Sequence, residues 1–108
     1  MFDYSFFNDL DIRIGTIISA KKFPEARNPS YKLKINFGKY GILRSSAQIT
    51  KLYKPENLIN KKIVAVINLG SRKIGNYESE CLILGAVDKE NVFLLKPKEK
   101  TLNGEVVF

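Results

Sequence analysis

The residues from Tyr31 to Phe37 alternate without a break: Tyr31, Leu33, Ile35 and Phe37 are apolar, and Lys32, Lys34 and Asn36 between them are polar. Period two over seven residues marks a strand with one face in a core and the other in water. Gly38-Lys39-Tyr40-Gly41 reads as a turn, so the next strand, Tyr40 to Ile49, returns antiparallel to the first. Asp11 to Ala20 reads as a further strand, with Ile12 and Ile14 inward and Asp11 and Arg13 outward. Gly15 interrupts it and Ile17 and Ile18 follow in altered phase, as at a bulge or sharp bend. Ile63 to Ile67 is an unbroken β-branched and alanine run, the pattern of a strand covered on both faces. Glu80 to Val87 and Asn91 to Leu95 form a last hairpin across Asp88-Lys89-Glu90-Asn91, and Pro97 ends it because proline cannot donate to a ladder. Thr50 to Ile59 has helical character, with Pro55 suited to a first helical position and Glu56 to the first turn.

Five strands with one short helix between the third and fourth is the order of an OB-fold barrel. The expectation is an all-β chain of one domain over residues 1–108, a length at which a single modest core is feasible. Two segments fall outside the barrel, an N-terminal extension over 1–10 and a C-terminal one over 98–108. The first carries Phe2, Tyr4, Phe6, Phe7 and Leu10; the second ends in Val106, Val107 and Phe108. Apolar ends of this kind dock on something. They either pack on their own barrel or form a twofold dimer interface through Phe6, Phe7, Leu10, Val106, Val107 and Phe108.

The charge is polarised. From Ala26 to Tyr77 there are eleven cationic side chains and a single acid, Glu56, in a chain whose formal charge is +7. Such a field gathers polyanions, phosphate backbones first among them, although a merely solvated face has the same composition. The chain has no histidine and one cysteine. The commonest general base and metal ligand is therefore missing, and a zinc site of the usual kinds cannot be built. No P-loop is present, and the two glycines of Asn68-Leu69-Gly70-Ser71-Arg72-Lys73-Ile74-Gly75 are wrongly spaced for a nucleotide fingerprint. The expectation is a protein that is not an enzyme and needs no metal or cofactor. Cys81, beside Leu82, Ile83 and Leu84, reads as a small buried hydrophobe. Met1 to Leu10 holds two acids and no cation, unlike a secretory signal, and no apolar run is long enough to cross a bilayer. A soluble, cytoplasmic protein without membrane insertion is expected.

Five pieces, in order, resemble the stand-alone tRNA-binding domain family, which includes the C-terminal appendix of many methionyl-tRNA synthetases. They are Asp11-Ile12-Arg13-Ile14-Gly15-Thr16-Ile17, Lys32-Leu33, Ser45-Ser46-Ala47-Gln48-Ile49, the run from Lys61 to Leu69, and the run from Ser79 to Ala86. The stretches Phe23 to Leu33 and Ser45 to Tyr53 are closest to the CsaA subgroup. Cys81 and Leu82 stand where the wider family has glycine and methionine, and the CsaA subgroup drifts at the same place. The resemblance implies an OB-fold, a homodimer built by the terminal extensions, and binding of tRNA by shape. For the subgroup it also implies binding of unfolded or exported protein segments and cooperation with the secretion machinery. Carried over by position, Lys32, Ser79 and Glu80 fall on the family's binding motifs.

Binding RNA by shape needs cations for phosphates, hydroxyl or amide groups for ribose, and flat side chains for stacking. Lys32 and Lys34 on the wet face of one strand, with Arg44 on its neighbour, supply the first. Arg72 and Lys73, read as a loop before the last hairpin, extend the set or are simply solvated. Ser45, Ser46, Gln48, Asn68 and Ser79 are candidates for ribose, Ser45 and Ser46 alternatively for a backbone turn. Tyr40, Tyr53 and Tyr77 are possible stacking platforms. Glu80 either touches ligand or orients a cation. A protein segment would instead need an apolar trough with a charged rim, which a dimer seam of the two extensions could supply.

Overall fold

The computed structural model describes residues 3–108; Met1 and Phe2 lie outside the described residues. The elements in chain order are α1 (Tyr4–Asn8), β1 (Ile12–Lys22), β2 (Tyr31–Asn36), a 3-10 turn (Gly38–Tyr40), β3 (Ile42–Ala47), α2 (Pro55–Leu58), β4 (Lys62–Val66), β5 (Arg72–Ile74), β6 (Tyr77–Ser79), β7 (Leu82–Ile83), β8 (Gly85–Asp88) and β9 (Asn91–Leu94). Five strands form one antiparallel sheet in the order β3-β2-β1-β4-β7, and β5–β6 and β8–β9 are separate hairpins. The sheet curls into a nearly closed barrel of OB type, with α2 between its third and fourth strands as the sequence predicts. Among the described residues, no helix is long and apolar enough to cross a membrane.

The long strand β1 organises the barrel. Its first half pairs with β4, from Ile12 opposite Val66 to Thr16 opposite Lys62; its second half pairs with β2, from Thr16 opposite Asn36 to Lys22 opposite Tyr31. The alternation of Tyr31 to Phe37 fills the interior, where Leu33, Ile35 and Phe37 join Ile17, Leu58, Ile63 and Ala65 with no exposed surface. Leu58 comes from α2, which starts at Pro55, where the missing N–H costs nothing. The run Ile63 to Ile67 is covered on both sides, and the register explains how. Ile63 and Ala65 enter the interior, while Val64 and Val66 join Ile12 and Ile14 in a second cluster on the outer face.

That outer cluster is covered by the C-terminal segment. The N–H of Val107 donates to the carbonyl of Ile12, that of Ile14 to Glu105, and that of Gly104 to Ile14, so the segment lies along the free edge of β1. Val107 packs against the cluster, whereas Val106 and Phe108 stay exposed. At the other end α1 has no buried residue, and Tyr4, Phe6, Phe7 and Leu10 are all exposed.

Four details depart from the sequence reading. Ile12 and Ile14 are buried, but in the outer cluster and not the barrel interior. Gly15 is not a bulge: it pairs in register with Ile63, and the irregularity falls between Ile17 and Ser19. A Cβ at Gly15 would lie 2.7 Å from Ile35 Cγ2 and from a Phe37 ring carbon, so the residue is glycine because two core side chains cross the strand there. Arg72 and Lys73 lie in β5, paired with Ser79 and Glu78 of β6, and not in a loop. Finally, Glu80 to Val87 is not one strand. Leu82 and Ile83 pair with β4, and the chain then turns away so that residues 85–88 pair with β9.

Candidate nucleic-acid interface

Side chains directly opposite one another in an antiparallel pair share a face. Lys32 stands opposite Ser46 of β3 on one side and Lys21 of β1 on the other; Lys34 stands opposite Arg44 and Ser19. The outer face of β1, β2 and β3 therefore carries two rows, Lys21-Lys32-Ser46 and Ser19-Lys34-Arg44. Like charges at Lys21 and Lys32 oppose folding by some tenths of a kcal/mol, an arrangement that a bound anion would relieve. Lys21 lies outside the cation-rich window of the sequence and was missed there; the Lys21-Lys22 pair at the end of β1 was its only signal.

The cations are held by aromatic rings and one carboxylate. The Lys32 ammonium lies 5.4 Å from the Phe23 ring centre and 5.7 Å from that of Tyr77, and the Arg44 guanidinium lies 5.7 Å from the same Tyr77 ring. Tyr77 meets Phe23 edge to face at 5.8 Å and donates its hydroxyl to the Leu33 carbonyl at 2.9 Å. Tyr77 is thus a fixed wedge between two cations. Tyr40 is covered by Arg13 at 4.2 Å; the Tyr53 hydroxyl accepts from the Leu94 N–H at 3.0 Å, and the Lys61 ammonium lies 5.5 Å from the Tyr53 ring centre. All three stacking candidates are engaged within the chain.

Glu80 orients Arg44. Its Oε1 accepts from the Arg44 backbone N–H at 2.9 Å and from Nε at 3.1 Å, and its own N–H donates to the Arg44 carbonyl at 2.7 Å. The backbone N–H of Arg44, then its guanidinium, holds the carboxyl below the usual range against the opposing effect of burial. The hydrogen bond to Glu80 raises the Arg44 pKa, and burial raises that of Tyr77. Ser79 works beside it, its Oγ accepting from the Ser46 N–H at 3.1 Å. These bonds bridge β3 to the β6–β7 segment where no continuous ladder closes the barrel.

Beside the two rows opens a cleft of about 760 Å³. It is bounded by residues 26–30 of the β1–β2 connection, by residues 46–49 at the end of β3 and just beyond it, and by residues 69–74 and 79 between β4 and β7. In OB-folds the corresponding loops and the face of strands two and three hold oligonucleotides. Ser46, Gln48, Arg72 and Ser79 line it, with Arg27 as an addition that the sequence reading did not name. Lys32, Lys34 and Arg44 lie on the adjoining face. Lys73, exposed, follows Arg72 on β5. Two candidates stand apart. Ser45 is buried and donates its hydroxyl to the Cys81 carbonyl at 3.2 Å. Asn68 clamps the N-terminal segment, its Oδ1 accepting from the Asp11 N–H and its Nδ2 donating to the Asp9 carbonyl, both at 2.8 Å. Cys81 is buried, and burial pushes its thiol up to about 12, so it is an inert core residue and not a nucleophile.

Residues 12–106 match the family described as "Putative tRNA binding domain". The chain belongs to the tRNA-binding domain family. Among curated proteins it is 42% identical over 101 residues to a methionine–tRNA ligase of Pyrococcus horikoshii, covering 93% of this chain and 14% of that enzyme. The chain thus spans about a seventh of the length of the curated relatives it matches. Among solved structures it is similar to the chaperone CsaA of Bacillus anthracis, with 44% identity and a TM-score of 0.95 over 100% of this chain and 99% of the other. CsaA of Picrophilus torridus gives 46% identity and a TM-score of 0.94 with both chains fully covered. The CsaA-type resemblance and the OB-like barrel are both borne out.

Proposed function

We propose that this protein is a non-catalytic, structure-specific tRNA-binding module of CsaA type, acting in the cytoplasm as a homodimer. The observation that carries the reading is the pairing of two polar and cationic rows, Lys21-Lys32-Ser46 and Ser19-Lys34-Arg44, with the cleft of about 760 Å³ beside them. Lysine and arginine bind phosphates as charges, whatever the sequence. The hydroxyl and amide groups of Ser46, Gln48 and Ser79, which line the cleft, would meet ribose. With its tyrosines occupied, the site reads backbone shape and not bases. The exposed Phe6, Phe7, Leu10, Val106 and Phe108 are the surface through which a second copy would dock, with Val107 anchoring the C-terminal segment beneath it.

The reading is tested by competition for labelled tRNA. Unlabelled tRNAs of different sequence should compete equally, and single-stranded RNA of the same composition much more weakly. Lys32→Glu should abolish binding. Absence of binding at micromolar protein, or undiminished binding by Lys32→Glu, refutes it.

A second reading is an export-related chaperone that holds unfolded or secretory segments in concert with the secretion machinery. The similar structures of B. anthracis and P. torridus are described as chaperones, and Tyr4, Phe6 and Phe7 give an apolar surface suited to such clients. Suppression of client aggregation that survives Lys32→Glu would separate that activity from RNA binding.

A further inference from the structure

A second cationic feature lies at the corner where α2 runs into β4. A shallow cleft of about 400 Å³ is lined there by Asn57, Asn60, Lys61, Lys62 and Lys96. None of these three lysines takes part in an ion pair among the described residues. Lys62 is half-buried and donates to Asn103 Oδ1 at 2.8 Å, an oxygen that also accepts from Thr16 Oγ1 at 2.6 Å. A neutral amide thus fixes the ammonium without cancelling its charge, and two of its three N–H donors remain. Lys61 lies 5.5 Å from the centre of the Tyr53 ring, again a partner that leaves the charge intact. Asn60 adopts a left-handed conformation with φ 68° and donates its N–H to the Ile17 carbonyl at 2.8 Å, so its position between α2 and β4 is set by the barrel.

The corner continues the face already described. Lys62 stands opposite Thr16, which stands opposite Asn36, and Lys34 is two residues from Asn36 on the same face of β2. Two interstrand spacings and one two-residue step separate Lys34 from Lys62, about 12 Å between Cα atoms. That path runs through Thr16 and Asn36, with Asn103 bonded to Thr16, and none of the three is acidic.

We propose that this corner is a second phosphate-binding site, taking backbone phosphates of the same RNA that lies on the face of β1, β2 and β3. The proposal rests on the RNA-binding reading above. Lys61, Lys62 and Lys96 supply charge, and the carboxamides of Asn57 and Asn60 supply neutral donors for phosphate oxygens or a 2′-hydroxyl. The site adds affinity without base preference, and it wraps the RNA past the edge of the OB groove.

The test is anisotropy of labelled tRNA against the double variant Lys61→Gln/Lys96→Gln, which leaves the Lys62–Asn103 bond in place, with Lys62→Gln as a separate variant. Thermal melts establish that each is folded. Each engaged lysine removed should weaken binding on the order of sixfold at 100 mM salt and flatten the log–log salt slope by about 0.7–0.9. An unchanged affinity and slope in the folded double variant, alongside weakened binding by Lys32→Glu, overturns this second site and leaves the first intact. Absence of tRNA binding by the unaltered protein overturns both.

Discussion

Lys34 offers the sharpest measurement of how the face works. It is exposed on β2, and its neighbours in the row are Ser19 and Arg44. Arg44 shares its charge with Glu80 at 3.1 Å, so Lys34 carries the uncompensated charge of that row. Lys34→Gln removes one charge and leaves the core untouched, because Leu33 and Ile35 on either side face the interior. A salt slope of about 0.8 per neutralised phosphate means that four engaged cations lose about 80-fold in affinity between 50 and 200 mM salt, and three lose about 30-fold. The difference of about threefold is well within reach of anisotropy titrations with labelled tRNA. Lys89→Gln, at the turn between β8 and β9 and away from both clefts, removes the same charge and should leave the slope unaltered. Equal flattening by the two variants would mean that only net charge matters, and the argument for a localised face would fall. No flattening by Lys34→Gln would remove Lys34 from the contact set.

Two further outcomes follow from the fold. Glu80 has a folded pKa held below its ordinary 4.5, so its stabilising effect is full above that value and is lost as pH falls through the lower folded value. Glu80→Gln should therefore flatten the acid side of a plot of melting temperature against pH, below about pH 4.5; an unaltered profile would mean that the carboxylate does not tie β3 to β6. Gly15→Ala places a methyl 2.7 Å from Ile35 and Phe37, overpacking that costs about 1–3 kcal/mol, or a drop in melting temperature of roughly 5–15 °C by calorimetry. A drop under 2 °C, well below about 1 kcal/mol, would show that the two side chains can give way freely.

The parts of this fold that obey a simple period were legible from the chain. Tyr31 to Phe37 has one dry face and one wet face, and its alternation specifies both. Ile63 to Ile67 announced two covered faces, although not that its second cover would be Val107, some forty residues on. The hairpin of Arg72–Ile74 with Tyr77–Ser79 escaped because three-residue strands with exposed cations have no apolar period to detect. The same limit applied to the site. Lys32, Lys34 and Arg44 were found from strand phase alone, and their convergence followed from register. Ser45 and Ser46 could not be told apart without knowing which face of β3 closes on the interior. Asn68 carried no mark of its distant backbone partners at Asp9 and Asp11. Lys21 was missed because its direction depends on an irregularity that the sequence places at Gly15 and the structure places between Ile17 and Ser19.

That irregularity at Ile18 sets which side of the barrel the end of β1 serves. Counting by twos from Gly15 and Ile17, an unbroken strand would send residues 19 and 21 into the apolar interior. The one additional residue exchanges inside for outside, and so Ala20 meets Leu33 while Lys21 emerges beside Lys32. Were the ladder to run unbroken through Ile18, that residue would stand opposite Lys34 and Lys21 opposite the buried Tyr31, so a lysine would be driven into oil and one corner of the proposed binding surface erased. A bulge, at this point in the chain, decides which charges reach that surface as much as any side chain does.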